Sequence, residues 1–232
     1  MRKIALSFTI CVLSLFIAGG VLAEKKNQPS KTISADKAQV LLLQGNQRFV
    51  KGEVIHPHQS AKERIRTAKE GQKPMAAILS CSDSRVPSEI LFDAGLGDLF
   101  VVRLAGNVVG KEAVGSLEYA VEHLGTKLIL VLGHTECGAV TAAVNNDQAT
   151  GDLLAIINEI KPVVTKVKAA HKDLVGEKLV LEAIKMNVQQ SIEEIINSSS
   201  LLKKRWQAGD IKIVGALYDL ETGSVTILKP SL

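Results

Sequence analysis

Three short apolar runs, Met75 to Ser80, Leu99 to Leu104 and Leu128 to Leu132, each followed by a turn or a helical pattern, constrain this chain more than any other feature. They are rich in Ala, Val, Ile and Leu and do not alternate with polar residues, as strands covered on both faces require. Helical periodicity follows them at Ala113 to Leu124 and Gly138 to Val144, then over the longer stretches Leu153 to Ala170 and Val180 to Ser198. Ile211 to Leu217 predicts a fourth strand, and Gly223 turns the chain into a fifth at Val225 to Leu228. Strands alternating with helices predict an α/β fold: a mostly parallel four-stranded sheet with an added edge strand, flanked by helices. A 46% hydrophobic content spread over 232 residues supplies one core, and the 3% aromatic content suits aliphatic strands.

The N-terminus has a different pattern. Arg2 and Lys3 precede an apolar run from Ile4 to Ala18, then Gly19-Gly20 and Val21-Leu22-Ala23. This is the layout of a secretory signal peptide spanning residues 1–23 and cut after Ala23. Ile4 to Ala23 is also long enough to cross a bilayer, but the Gly-Gly break and the small-residue end favour cleavage. The expectation is a periplasmic or secreted protein with no stable membrane span after processing. Residues 24–33 are polar, contain Pro29 and read as a flexible linker, and residues 34–232 form the single domain. Ser34 can cap a helix ending near Lys51 and Gly52, and a second, basic helix fits Ser60 to Glu70. His56-Pro57-His58 between them could ligate a metal but reads as a solvated turn. The formal net charge is +4, and Arg2 and Lys3 take half of that excess away with the signal. With no basic stripe interleaved with aromatics, no nucleic-acid partner is expected.

Cys11 leaves with the signal, so Cys81 and Cys137 remain. In an exported protein a cysteine pair is by default a disulfide, and only the neighbours argue otherwise. Cys81-Ser82-Asp83-Ser84-Arg85 ends the first strand, and His134-Thr135-Glu136-Cys137 ends the third. The carboxyl edge of a parallel sheet is where ligands bind, so both clusters can face one crevice. Two thiolates, an imidazole and a possible carboxylate suit zinc. Cys137-Gly138-Ala139 starts a helix, whose N-terminal dipole favours thiolate. The Cys-to-Arg spacing is too short for a tyrosine-phosphatase cradle, and C-x-x-C redox chemistry has no motif here.

These two clusters, with Arg103-Leu104-Ala105-Gly106-Asn107 and the glycines Gly133 and Gly138, resemble the β-class carbonic anhydrases. The likeness runs from about Ser34 to Leu228 and includes Gly45-Asn46-Gln47-Arg48-Phe49 and Gly215-Ala216-Leu217-Tyr218-Asp219. The resemblance implies reversible hydration of carbon dioxide to bicarbonate and a proton, with one zinc per chain held by Cys81, His134 and Cys137. Three protein ligands leave a fourth position for a water whose pKa falls to about 7. Asp83 and Arg85 correspond to a catalytic dyad, and Asp83 is a possible further ligand in a closed state. In plant-like members Gln72, Phe100 and Ala105 correspond to substrate-lining positions. The family likeness further implies a homodimer or a dimer of dimers. A second subgroup carries a bicarbonate pocket built with an N-terminal tryptophan; this chain departs from it, since its one tryptophan is Trp206 and the early helix offers Phe49. The rival readings are a catalytically silent zinc or disulfide protein of the same fold, and a hydrolase of another small molecule such as carbon disulfide.

Overall fold

The computed structural model describes residues 33–229. The proposed signal, Cys11 and the linker up to residue 32 lie outside the described residues. Five strands form one sheet: β1 (Ala76–Ser80), β2 (Leu99–Arg103), β3 (Leu128–His134), β4 (Lys212–Tyr218) and β5 (Val225–Ile227). Their order is β2-β1-β3-β4-β5; the first four neighbours are parallel and β5 runs antiparallel to β4, as the sequence pattern predicts. Every residue of β1 and β3 is buried, which explains their unbroken apolar runs, whereas β2 lies at the sheet edge and becomes exposed towards Arg103.

Successive side chains on each strand point to opposite faces. Ile78, Leu128, Leu130 and Leu132 share one core with Ala38 and Leu42 of α1 (Ala35–Lys51) and with Leu91 of the short α3 (Ser88–Leu91). Ala77, Leu79, Ile129 and Val131 face α4 (Lys111–Glu122), α7 (Gly176–Ser198) and α8 (Ser200–Gln207). A third cluster joins α5 (Gly138–Asn145), α6 (Leu153–Ala170) and α7 around Cys81 and Cys137. Two glycines set how closely α7 approaches the sheet: a Cβ on Gly133 or Gly215 would fall 2.6 or 2.7 Å from the side chain of Val188. No helix among the described residues is long and apolar enough to cross a membrane.

Local signals set the helix ends. The Ser34 hydroxyl accepts from the Lys37 N–H at 3.3 Å, and Gly52, at φ +70°, closes α1 in the left-handed region. Ser60 caps α2 (Ala61–Glu70) in the same way, and α2 buries none of its residues. The sequence pattern does not show α3 or α8, and it starts α7 at Val180 where the helix begins at Gly176. The His56-Pro57-His58 loop is solvated, with both histidines exposed, and is also tied down on one side. Asp93 accepts from the N–H groups of Ile55 (3.1 Å) and His56 (3.0 Å) and from Arg48 Nε (2.6 Å), and His58 Nδ1 lies 2.8 Å from Asp98. Burial works to raise the Asp93 carboxyl, but Arg48 and the two backbone donors outweigh it and hold the group below its ordinary value.

Candidate metal centre

β1 and β3 are adjacent and parallel, with Ser80 in register with Leu132, so their carboxyl ends deliver side chains to one place. Cys81 follows β1, His134 is the last residue of β3, and Cys137 is the N-cap of α5. All three are buried, and their ligand atoms lie within 4.8 Å of one another. The two cysteines are free rather than bonded to each other.

His134 Nδ1 stands 2.8 Å from the Thr135 carbonyl oxygen, which can only accept, so Nδ1 carries a proton and, in the neutral ring that a metal requires, Nε2 carries the lone pair. That Nε2 is the one fully buried side-chain nitrogen or oxygen without a hydrogen-bond partner among the described residues. A buried bare lone pair is costly unless something accepts it. With two sulfurs beside it, the donor set fits zinc, which Cys81, His134 and Cys137 would hold. The two thiols are held apart in acidity: Cys81 is lowered, chiefly by a hydrogen bond from Cys137, and Cys137 is pushed up by the same contact and by burial. Cys81 Sγ also accepts from the N–H groups of Gly106 (3.2 Å) and Asp83 (3.4 Å).

Asp83 faces this group. Arg85 holds it with three bonds, from its backbone N–H (2.9 Å) and Nε (3.0 Å) to Oδ1 and from Nη2 (2.8 Å) to Oδ2, and these bring the carboxyl down to about 2. Oδ2 lies 3.9 Å from His134 Nε2. Asp83 is thus engaged by Arg85 and is not part of the ligand group. Arg103 straps the same loop, donating from Nε to the Cys81 carbonyl (3.1 Å) and from Nη2 to the Asp83 carbonyl (2.6 Å).

The other three expected residues separate. Ala105 opens a 3-10 turn, Ala105–Asn107, whose Gly106 N–H reaches Cys81. Gln72 sits before the amino end of β1 and Cys81 after its carboxyl end, so five strand residues, about 16 Å, lie between them. Phe100 is in register with Ala77, near that same far end, and stacks on Tyr119 with ring centroids 6.1 Å apart. Within one chain neither Gln72 nor Phe100 belongs to the site. The residues missed by sequence reasoning are Arg103 as a strap and Asn187 and Ser191 of α7, which hold the 3-10 turn. Arg103 lies in a motif that stood out, whereas Asn187 and Ser191 carry no local signal within a long helical pattern.

The carbonic anhydrase family model matches residues 76–225, which takes in all three ligand candidates. The chain belongs to the β-class carbonic anhydrase family. Carbonic anhydrase 2 of Mycobacterium tuberculosis is 41% identical over 189 residues, covering 80% of this chain and 89% of that protein. Among solved structures the β-carbonic anhydrase CcaA matches with a TM-score of 0.67 and 26% identity, over 82% of this chain and 95% of that one. A tetrameric β-carbonic anhydrase from Sordaria macrospora has the same fold, with a TM-score of 0.67 at 23% identity over 83% of this chain and 97% of that one. This carbonic anhydrase is an enzyme, a lyase whose substrates are carbon dioxide and bicarbonate. Its cofactor is zinc, the metal of the family, for which Cys81, His134 and Cys137 form a fitting group.

Proposed function

We propose that Cys81, His134 and Cys137 hold one zinc per chain and that Asp83 and Arg85 act beside it as the catalytic dyad. The observation that carries this reading is the buried, partnerless Nε2 of His134 facing two thiols and the Asp83 carboxylate. Zinc, when bound, supplies the Lewis acid that makes hydroxide accessible near neutral pH. Asp83 stays ionised because Arg85 neutralises it, so it can only accept a hydrogen bond; it therefore aims the attacking oxygen's lone pair at the carbon of carbon dioxide. Arg85 also holds the carboxylate back from the ligand atoms, with Oδ2 bound by Nη2 and 3.9 Å from His134 Nε2. The test is zinc content measured together with carbon dioxide hydration on purified protein. About one zinc per chain with hydration supports the assignment, and an active protein with a Cys81–Cys137 disulfide overturns it.

The working unit in this reading is a homodimer or a dimer of dimers. Among the described residues β2 leaves one strand edge unpaired, Phe100 and the 47% exposed Tyr119 lie beside it, and α2 buries none of its residues. The plant-like substrate roles of Gln72 and Phe100 then require both residues to reach the site of a second copy, while Ala105 serves its own. Export completes the proposal, with residues 1–23 as signal, 24–33 as linker and 34–232 as the enzyme domain. Intact mass of protein recovered from the cell envelope should correspond to a chain starting at Glu24, and a retained Met1 in membrane material would show an anchor instead.

A further inference from the structure

The turn that touches Cys81 is closed by one backbone bond, from the Asn107 N–H to the Leu104 carbonyl at 3.0 Å, and is otherwise held from outside. Gly106 and Asn107 lie consecutively in the left-handed region, at φ +64° and +44°, and the second of them is not a glycine. A Cβ on Gly106 would fall 2.8 Å from Ile160 of α6, so the turn is also pressed from one side. On its other side stands a buried polar network from α7. Asn187 Nδ2 donates to the Gly106 carbonyl at 2.7 Å, and Asn107 Nδ2 donates to Ser191 Oγ at 3.1 Å. The Ser191 hydroxyl lies 3.0 Å from both the Asn107 and Asn187 carbonyl oxygens, between which it shares its proton. Asn107, Asn187 and Ser191 are all at least 97% buried. Polar side chains at this depth cost stability unless fully paired, and an aliphatic residue would fill the same helix face. What the network gains is a fixed Gly106, whose N–H points at Cys81 Sγ from 3.2 Å.

We propose that Asn187, supported by Ser191, is a positioning residue for the metal centre: by clamping the Gly106 carbonyl it aims the Gly106 N–H at the Cys81 sulfur and so sets that thiolate's strength as a ligand. The inference rests on the assignment of Cys81 as a metal ligand. An N–H donor draws electron density from a thiolate, which lowers the energy of its lone pairs and leaves more positive charge on the ion it binds. Partners in the second layer around a metal commonly change affinity by about 10- to 100-fold when lost. The coupling also explains why α7 must approach the sheet so closely, through Gly133 and Gly215 against Val188, the residue next to Asn187.

The experiment uses cobalt(II)-exchanged full-length protein, reading the sulfur-to-cobalt charge-transfer band, and zinc affinity by competition with a chromophoric chelator. Asn187→Leu removes the donor at similar volume, Asn187→Asp replaces it with acceptors, and Ser191→Ala removes a single hydroxyl. Ile195→Val, about two turns further along α7 in the core under α4, controls for general loosening. The expected result is a shift of the band to lower energy, because the thiolate regains donor strength, and about a tenfold loss of zinc affinity in the Asn187 variants, because the released turn no longer holds Cys81 in place. Ser191→Ala should shift the band the same way by less, and Ile195→Val should leave the band in place. If a folded Asn187 variant has the parent band and affinity while its melting temperature falls as in Ile195→Val, the network is structural only and the proposal is wrong. Should neither Asn187 variant fold, an unshifted band in Ser191→Ala overturns it. A parent protein that takes up no cobalt at Cys81 would instead overturn the ligand assignment, which separates the two failures.

Discussion

Two aspartates in this molecule are built alike and placed differently. Asp93 and Asp83 each face an arginine and accept backbone N–H bonds, and both carboxyls are held below the ordinary range. Asp93, with a side chain 0% exposed, ties α1 to the loop before α2. Asp83 lies 3.9 Å from the bare nitrogen of His134. The same ion pair is scaffold in one place and, under the proposed dyad, chemistry in the other. What separates them is the neighbour each carboxylate faces.

The largest effect should come from the Asp83 side of this comparison. Asp83→Asn and Arg85→Ala should both keep zinc, since neither residue is in the ligand group, yet lose hydration by at least about a hundredfold. Stopped-flow hydration beside metal analysis checks this, and parental rates in both variants would remove the dyad from the mechanism. In Arg85→Ala the freed carboxylate should move towards the ligand group, which X-ray absorption would detect as an added oxygen neighbour.

Asp93→Asn should do the reverse, leaving hydration per folded molecule near the parent level and lowering stability by about 2 kcal/mol. This is below the usual cost of breaking a buried pair because Arg48 is 31% exposed. Urea unfolding measures it. The effect has a defined pH dependence. A carboxyl lowered on folding stabilises the fold fully above its unfolded value, near pH 4, and loses that contribution as pH falls through the lower folded value. The gap in stability between parent and Asp93→Asn should therefore be constant around neutrality and close below about pH 4. A gap that persists unchanged into acid would show that Asp93 acts by shape rather than charge.

The smallest effect belongs to the neighbouring strap. His58 is 54% exposed where it meets Asp98, so His58→Ala should cost under about 1 kcal/mol and leave zinc and hydration alone. A loss as large as that of Asp93→Asn would mean that exposure does not separate the two straps.

Much of this was legible in one dimension. β1 and β3 are covered on both faces, so their composition alone marks them, and Ser34, Ser60 and Gly52 announce helix ends through backbone chemistry that acts within a few residues. The ligand candidates were legible because Cys81-x-Asp83-x-Arg85 and His134-x-x-Cys137 each sit on one strand end, where short spacing implies closeness. α3 was too short to leave a periodic trace, and α8 follows α7 so closely that Ser199 ends one helix and caps the other.

By itself the sequence determined the sheet, its alternation with helices, and which thiols and imidazole could serve a metal, because those properties depend on local pattern and on residue type. The tertiary structure decided which side chains share a space. It brought Asn187 and Ser191 against a turn some eighty positions earlier in the chain, at Gly106 and Asn107. It also set Gln72 and Cys81 at opposite ends of one strand although they are close in sequence. An extended strand spends about 3.3 Å on each residue, while a packed helix crosses the same sheet within van der Waals contact, so nearness along the chain and nearness in space part company at the edge of the sheet.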